Sequence, residues 1–335
     1  MANFNTGKTN TQADGLRSEG YLAPETIGQL GTLELRARMI TEGVMSGMHS
    51  SPYQGLAVEF AEHRQYVPGD DTRHIDWKVF GRSDKLQLKQ YQQETTLDVM
   101  LLVDVSASMR YGTLPIKKGW GGTKAMEEVG SWTKFDHATA ILAALGYICL
   151  QQRDRVGVVT FSDGVQTQLK RSNARDTWRN IVNTLACEPV DETTSFTKTI
   201  DQVIANTTNR SLFIIVSDFL MPLKDILESL AKFKHRRHDV ALLQTLDRTE
   251  LRFDLDDPAP FIGLEGEDRI TIDPRVVRKR YLQELSTHCT TIEKGARGLG
   301  YDFTRVDTHN SVGPPIAALL SRRAAYGRGH RGGPR

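Results

Sequence analysis

Asp104, Ser106 and Ser108 stand at alternate positions immediately after five consecutive apolar residues, Val99 to Val103, in the stretch DVMLLVDVSASM (98–109). One carboxylate and two hydroxyls are hard oxygen donors. They suit Mg²⁺, which takes one or two carboxylates, keeps several waters and leaves coordination positions for a partner. A strand that merely ends in an Asx turn carries the same D-x-S-x-S letters, so the string gains meaning only from what the fold brings beside it. Two later stretches offer company. SLFIIV (211–216) is a second branched apolar run and ends in Ser217 and Asp218, and the polar loop DETTS (191–195) carries Thr194 ahead of a helical pattern. The candidate centre is therefore Asp104, Ser106, Ser108, Thr194 and Asp218 around one Mg²⁺, with Mn²⁺ or Ca²⁺ as alternative ions. Two carboxylates balance a divalent charge, and three hydroxyls add geometry without adding charge. With Asp218 acting through water, the ion stays electrophilic and favours a carboxylate brought by a partner.

The elements that must position these residues begin at about residue 96. Runs at 97–103, 155–161, 211–216 and 239–246 read as buried strands, and 301–306 as a last strand. Residues 135–150 are apolar almost all round and read as a central helix. Further helical periodicity marks 178–185, 200–204, 223–230, the stretch after Pro274, and 316–320. This alternation predicts an α/β fold, a doubly wound, mostly parallel sheet with helices on both faces. Ligands of such sheets bind beyond the carboxyl ends of the strands, the edge on which Asp104 and Asp218 both fall. Residues 165–169 read as a short hairpin partner, 111–133 as a mobile loop, and 250–272 as strands inserted outside the alternation. His235 and His238 flank Arg236-Arg237 near a helix end and read as dipole and solvent contacts.

The rest of the chain divides into an expected disordered segment (1–22), a region of one helix and a small β module (23–95), and a basic, Gly-rich disordered tail (322–335). Ile27, Leu30, Leu33, Ala37, Ile40 and Val44 give the helix its apolar stripe, which reads as packing on the main domain, with a partner-binding helix as the alternative. The β module contains EFAEHRQYVPGDDTRHIDW (59–77); Val58, just before it, and Phe60 alternate as in a strand, Pro68-Gly69 marks a turn, and Leu86 and Leu88, beyond it, mark a second strand. Asp70, Asp71, Arg73 and Asp76 crowd around Trp77. They read either as surface ion pairs, each contributing only about 0–1 kcal/mol, or as a docking face for a partner.

Composition excludes several classes. In 335 residues, 39% apolar and 25% charged is ordinary for a globular protein. A net charge of +2 is too small to make nucleic acid the main partner. Cys149, Cys187 and Cys289 are far apart and form no C-x-x-C pair, so they read as small hydrophobes in a reducing compartment. No apolar run approaches the roughly 20 residues that span a bilayer, and the first 20 residues hold no hydrophobic signal region. The expectation is a soluble, cytoplasmic protein.

The spacing DVSAS, a distant Thr and a later Asp after a strand is similar to the metal-ion-dependent adhesion site of von Willebrand factor A domains. Together with the 59–77 block, VGVVTF (156–161) and IVSDF (215–219), the chain from about 24 to 321 resembles the bacterial family known as domain of unknown function 58. The block GDD-x-R-x-I-D-W carries more of this resemblance than D-x-S-x-S does. The resemblance implies a von Willebrand factor A-like fold, Mg²⁺ at the five positions, and work as an adaptor with a MoxR-type AAA+ ATPase in protein or complex maturation. Many members carry Gly-Thr-Asp where this chain has Thr193-Thr194-Ser195, which leaves those three as alternative hydroxyl donors. Many also carry N-terminal membrane helices, which this sequence lacks, so a membrane role does not transfer.

The enzyme alternative is a Mg²⁺-dependent phosphotransferase or hydrolase of the haloacid-dehalogenase type, which also places an Asp after the first strand of a parallel sheet. That chemistry needs a second acid two residues on, where this chain has Ser106. Neither a G-x-x-x-x-G-K-[ST] phosphate loop nor a G-x-S-x-G elbow occurs. A solvated end is the simpler reading of the basic tail, which lacks the aromatic-plus-basic surface of nucleic-acid binders. The sequence thus favours a metal-dependent interaction module over an enzyme.

Overall fold

The computed structural model describes residues 22–30, 32–49, 63–67, 72, 77–89, 96–117, 129–264 and 269–329. The chain forms two compact units, one of residues 1–51 and 97–335 and a smaller one of residues 52–96.

The larger unit is built on a six-stranded sheet. Its strands are β3 (Asp98–Asp104), β6 (Arg155–Phe161), β7 (Val165–Ser172), β8 (Leu212–Ser217), β9 (Asp239–Leu246) and β12 (Asp302–Asp307), in the spatial order β12-β9-β8-β3-β6-β7. Every pairing is parallel except that of the edge strand β7 with β6. This is the doubly wound, mostly parallel, von Willebrand factor A-like arrangement that the alternation and the resemblance predict. The first strand, β3, lies in the centre with β6 on one side and β8 on the other, so chain connections leave it in opposite directions. That creates a crevice at its carboxyl end.

All seven residues of β3 are buried. Because successive side chains point to opposite faces, Val99, Leu101 and Val103 enter one core and Met100 and Leu102 the other. Burying each such side chain contributes about 1.5–3 kcal/mol, which is why this run is apolar without alternation. The first core is covered by α2 (Leu33–His49), α4 (Lys134–Gln151), α5 (Thr177–Leu185) and α10 (Gly313–Gly329). The second is covered by α6 (Phe196–Ala205), α7 (Leu223–His235) and α9 (Pro274–Gly298). Helix α4 starts in a capping box, in which Thr133 and Asp136 satisfy each other's backbone N–H. Two hairpins stand outside the sheet: β4 (Leu114–Lys117) with β5 (Val129–Trp132), and β10 (Ala259–Phe261) with β11 (Ile270–Ile272). Between β9 and the second hairpin runs the short helix α8 (Arg248–Arg252). The expected insertion at 250–272 is thus a hairpin preceded by a helical turn.

Several boundaries differ from expectation. Helix α2, after the short α1 (Pro24–Gly28), packs on the main domain as its stripe leads one to expect, with Ala37, Ile40 and Val44 completing the core against α4, so the smaller unit begins at 52 and not at 23. The stretch 111–133 is not simply a loop. Trp132 on β5 is fully buried, and its indole N–H donates to His137 Nδ1 at 3.0 Å. Gly112 passes so close to Trp132 that a Cβ there would collide with its backbone carbonyl. The basic tail is helical as far as Gly329, and Arg322 bonds Asp302 at 2.9 Å; residues 330–335 lie outside the described residues, as do 1–21. His238 is buried, not solvent-facing: its Nδ1 accepts the Ser211 N–H at 3.2 Å.

In the smaller unit, β1 (His63–Gln65) pairs antiparallel with β2 (Gln87–Lys89), and α3 (Trp77–Ser83) lies between them in the chain. The second expected strand is β2. The expected alternation at Val58 and Phe60 lies outside the described residues.

Candidate metal centre

The structure brings the five predicted residues together at the carboxyl ends of β3 and β8. Asp104 ends β3 and is completely buried. Its Oδ1 accepts the Ser106 N–H at 2.9 Å, which closes the expected Asx turn, and its Oδ2 accepts the Ser217 hydroxyl at 2.7 Å. The Thr194 hydroxyl lies 3.2 Å from both carboxylate oxygens. Among Thr193, Thr194 and Ser195, it is therefore Thr194 that faces the carboxylate. The Ser106 and Ser108 hydroxyls are 3.1 Å apart at the start of a single 3₁₀ turn (Ala107–Arg110).

Backbone bonds hold these loops in register. Val105 N–H donates to Phe161 O at 2.8 Å and Val190 N–H to Val105 O at 2.7 Å. Ser195 N–H reaches Ser162 O at 2.8 Å, and the Ser162 hydroxyl holds Glu192 at 2.7 Å. The turn after Asp218 is strained: Phe219 has φ +52°, the left-handed region that a bulky residue rarely occupies. It is held there because the Phe219 ring is fully buried edge-on against Phe196, its N–H donates to Ser217 Oγ, and its carbonyl lies 2.7 Å from His288 Nε2. The Asp218 carbonyl in turn accepts from the Gln244 amide at 3.0 Å.

Electrostatics divides the two carboxylates. Burial, with the Asp218 charge added, pushes the Asp104 carboxyl up to about 6, against the bonds from Ser217 and Ser106. No cationic side chain among the described residues forms an ion pair with it. Asp218 does have one: Lys134 Nζ lies 2.8 Å from its Oδ2 and also 2.8 Å from Glu250 Oε1. Burial opposes ionisation of Asp218, yet the Lys134 charge and bonds from Lys134, Ser108 and the Leu220 N–H hold its carboxyl below the usual range. Burial likewise disfavours the Lys134 ammonium, but Asp218 and Glu250 outweigh it and raise its pKa. Glu250 is raised by burial, offset in part by Lys134. Two carboxylates, Asp218 and Glu250, thus share one ammonium, while Asp104 beside them has none among the described residues, and a divalent ion next to Asp104 would supply the missing positive charge. The donor set fits Mg²⁺: Asp104, Ser106, Ser108 and Thr194 can offer oxygens directly and Asp218 through water.

Sequence reasoning missed three members of this cluster. Ser217 was read only as the end of a strand, although it stands beside Asp218. Lys134 occupies the first position of α4, where the helix dipole disfavours a cation; a lone Lys opening an otherwise apolar helix is the signal that marks it. Glu250 closes the capping box of α8, with Oε2 accepting the Asp247 N–H at 2.7 Å, and its other oxygen is left for Lys134. Of the candidate docking residues, Asp70, Asp71, Arg73 and Asp76 lie outside the described residues. Trp77 opens α3, is 63% exposed, and packs edge-on to Phe80 at 6.1 Å between centroids. The position two residues after Asp104 is a serine tied to Ser108, so the phosphotransferase alternative finds no support. Among the described residues no helix is long and apolar enough to cross a membrane.

Uncharacterized proteins of Mycobacterium bovis and Mycobacterium tuberculosis are each 25% identical to the chain over 318 residues, covering 92% of it and 93% of the relative. Among solved structures, the conserved hypothetical protein BatB from Bacteroides thetaiotaomicron aligns with a TM-score of 0.42 at 16% identity, over 68% of this chain and 99% of that one. The SpRpn10 VWA domain aligns with a TM-score of 0.39 at 10% identity, over 68% and 95%. The sequence pattern of the family described as "Protein of unknown function DUF58" matches residues 62–291. The chain belongs to that family.

Proposed function

We propose that this protein is a metal-dependent interaction module, in which Mg²⁺ held by Asp104, Ser106, Ser108 and Thr194, with Asp218 behind a water, captures an acidic side chain of a partner. The observation that carries the reading is the completely buried Asp104 carboxylate, which is surrounded by hydroxyl and N–H donors and has no ion-pair partner among the described residues. An ionised carboxylate withdrawn from water is costly without a counter-charge, and hydroxyls that can turn their lone pairs inward are what a hard cation needs beside it. The bound ion would supply Lewis acidity towards a carboxylate. The protein's own residues hold the site: Ser217 and the Ser106 N–H orient Asp104, while Lys134 keeps Asp218 ionised and turned towards Ser108. The partner we favour is a MoxR-type AAA+ ATPase, with the Asp70–Trp77 block as a second contact.

The test is affinity capture from native lysate on the immobilised chain, with Mg²⁺ and then with EDTA, using wild type and Asp104→Asn. Asn keeps the shape of the buried group and removes its charge. A AAA+ ATPase retained only by wild type in Mg²⁺ is the expected outcome. Equal retention by Asp104→Asn, or in EDTA, would move the binding face away from this edge.

A further inference from the structure

The metal loop opens directly onto a pocket of about 260 Å³. Its walls include Ser108 itself, Tyr111, Leu220, Phe253, Leu264 and Tyr281, so the turn that carries the third candidate hydroxyl is also one side of an apolar cavity. A second cavity of about 440 Å³ shares Phe253, Phe261 and Tyr281 with it and extends beneath the β10–β11 hairpin to Ile270 and Val277. The surface around them is unusual. Eight large apolar side chains are exposed among the described residues, and three of them line these two cavities: Leu220, after Asp218, and Leu264 in the first, and Ile270 in the second. Exposed apolar side chains gathered at the mouth of a cavity mark an interaction surface.

Two features narrow what the pocket takes. At about 260 Å³ it falls below the roughly 300–1,000 Å³ of sites for drug-sized ligands and cofactors, and it matches one bulky side chain. Its single ammonium, Lys134, is already committed to Asp218 and Glu250 at 2.8 Å each, so the pocket offers no free charge to an acidic group. An arriving carboxylate would go to the ion and an apolar group to the pocket. An extended chain advances about 3.3 Å per residue, and Ser108 borders both sites, so the two anchors are within about two positions of each other on one partner segment.

We propose that the pocket between the metal loop and the β10–β11 hairpin receives a large apolar side chain next to the metal-bound acidic residue, so that the protein reads a short acidic–apolar segment of its partner. This rests on the metal-dependent reading above and adds the specificity that one carboxylate cannot give.

The experiment is selection of random displayed peptides on the full chain in Mg²⁺, with EDTA elution, followed by affinity measurement of a selected peptide. Enrichment of Asp or Glu within two positions of Phe, Leu, Ile, Met or Trp is expected. The double variant Leu220→Ser/Leu264→Ser, whose changes are both at exposed positions, should weaken that peptide at least about tenfold while calorimetric Mg²⁺ affinity stays unchanged. EDTA-sensitive acidic peptides with no apolar preference, or with affinity untouched by the double variant, would overturn the pocket and leave the metal reading standing. No EDTA-eluted enrichment would overturn the metal reading and this inference with it. A dimer in sedimentation velocity that the double variant dissociates would assign the patch to a second copy and overturn the peptide proposal.

Discussion

Strand β3 begins and ends with a buried aspartate, and the molecule treats the two in opposite ways. Asp98, at the amino end, is gripped by Arg155 through both carboxylate oxygens, at 2.6 and 2.7 Å, and by Arg171 at 3.1 Å. Asp104, at the carboxyl end six residues on, meets hydroxyls and one backbone N–H and no cationic side chain among the described residues. Both positions exact the desolvation cost of a buried charge. At the amino end the fold supplies the counter-charge covalently, from β6 and β7. At the carboxyl end it supplies only neutral oxygens, and the nearest ammonium is held by Asp218 and Glu250. The difference separates a carboxylate that the fold neutralises itself from one that it leaves without a counter-charge, which is the contrast the proposed metal-dependent function rests on.

The sharpest way to break this contrast is to neutralise each end in turn. Asp104→Asn should lower Mg²⁺ affinity on the order of a hundredfold or more and leave the ion-free fold intact. Asp98→Asn should leave Mg²⁺ affinity within about twofold, since the sites are distant, and destabilise the protein by about 2 kcal/mol, discounted because Arg155 is 44% exposed. Calorimetry with Mg²⁺ and denaturant titration would read the two effects. A Mg²⁺ response equally reduced in both variants would remove the distinction.

The second test concerns the internal ammonium. Lys134→Met leaves Asp218 and Glu250 buried without their shared cation, and should cost about 3 kcal/mol of ion-free stability. Saturating Mg²⁺ should restore part of it, because the ion then meets the unbalanced charge. Denaturant midpoints measured with and without Mg²⁺ decide this; no recovery would mean that Lys134 acts independently of the ion.

The smallest effect is a control on burial without charge. His137 is fully buried, and desolvation pushes its pKa down to about 4. The unfolded chain therefore takes up a proton that the folded chain refuses as pH falls below about 6.5. The stability His137 contributes is present at pH 7 and declines by about 2 kcal/mol on going to pH 5. The difference between those two pH values should be smaller by that amount in His137→Phe. An unchanged pH dependence would place the acid sensitivity elsewhere.

The sequence by itself determined the sheet and the edge of it that matters. Five apolar residues before Asp104, four of them branched, and five more (Leu212 to Val216) before Ser217-Asp218 suit central strands, and alternation with amphipathic helices makes the sheet mostly parallel. Local chemistry was enough to bring Asp104, Ser106, Ser108, Thr194 and Asp218 to one place, since each lies within a few residues of a strand or helix end whose position the topology fixes. Only the tertiary structure decided the rest. Lys134 and Glu250 are 116 residues apart and look like an odd helix start and an ordinary cap; they become an ion pair because α4 and α8 begin side by side at the same sheet edge. The N-terminal helix packs on the main domain as its apolar stripe suggests, but that α4 is the surface it fits is a matter of side-chain packing that periodicity cannot express. The pocket is likewise made by the packing of a hairpin on α9, between residues whose individual types signal nothing more than core. Charge balance and cavity shape are sums over neighbours distant in the chain, and a sequence read locally contains the terms but not the sum.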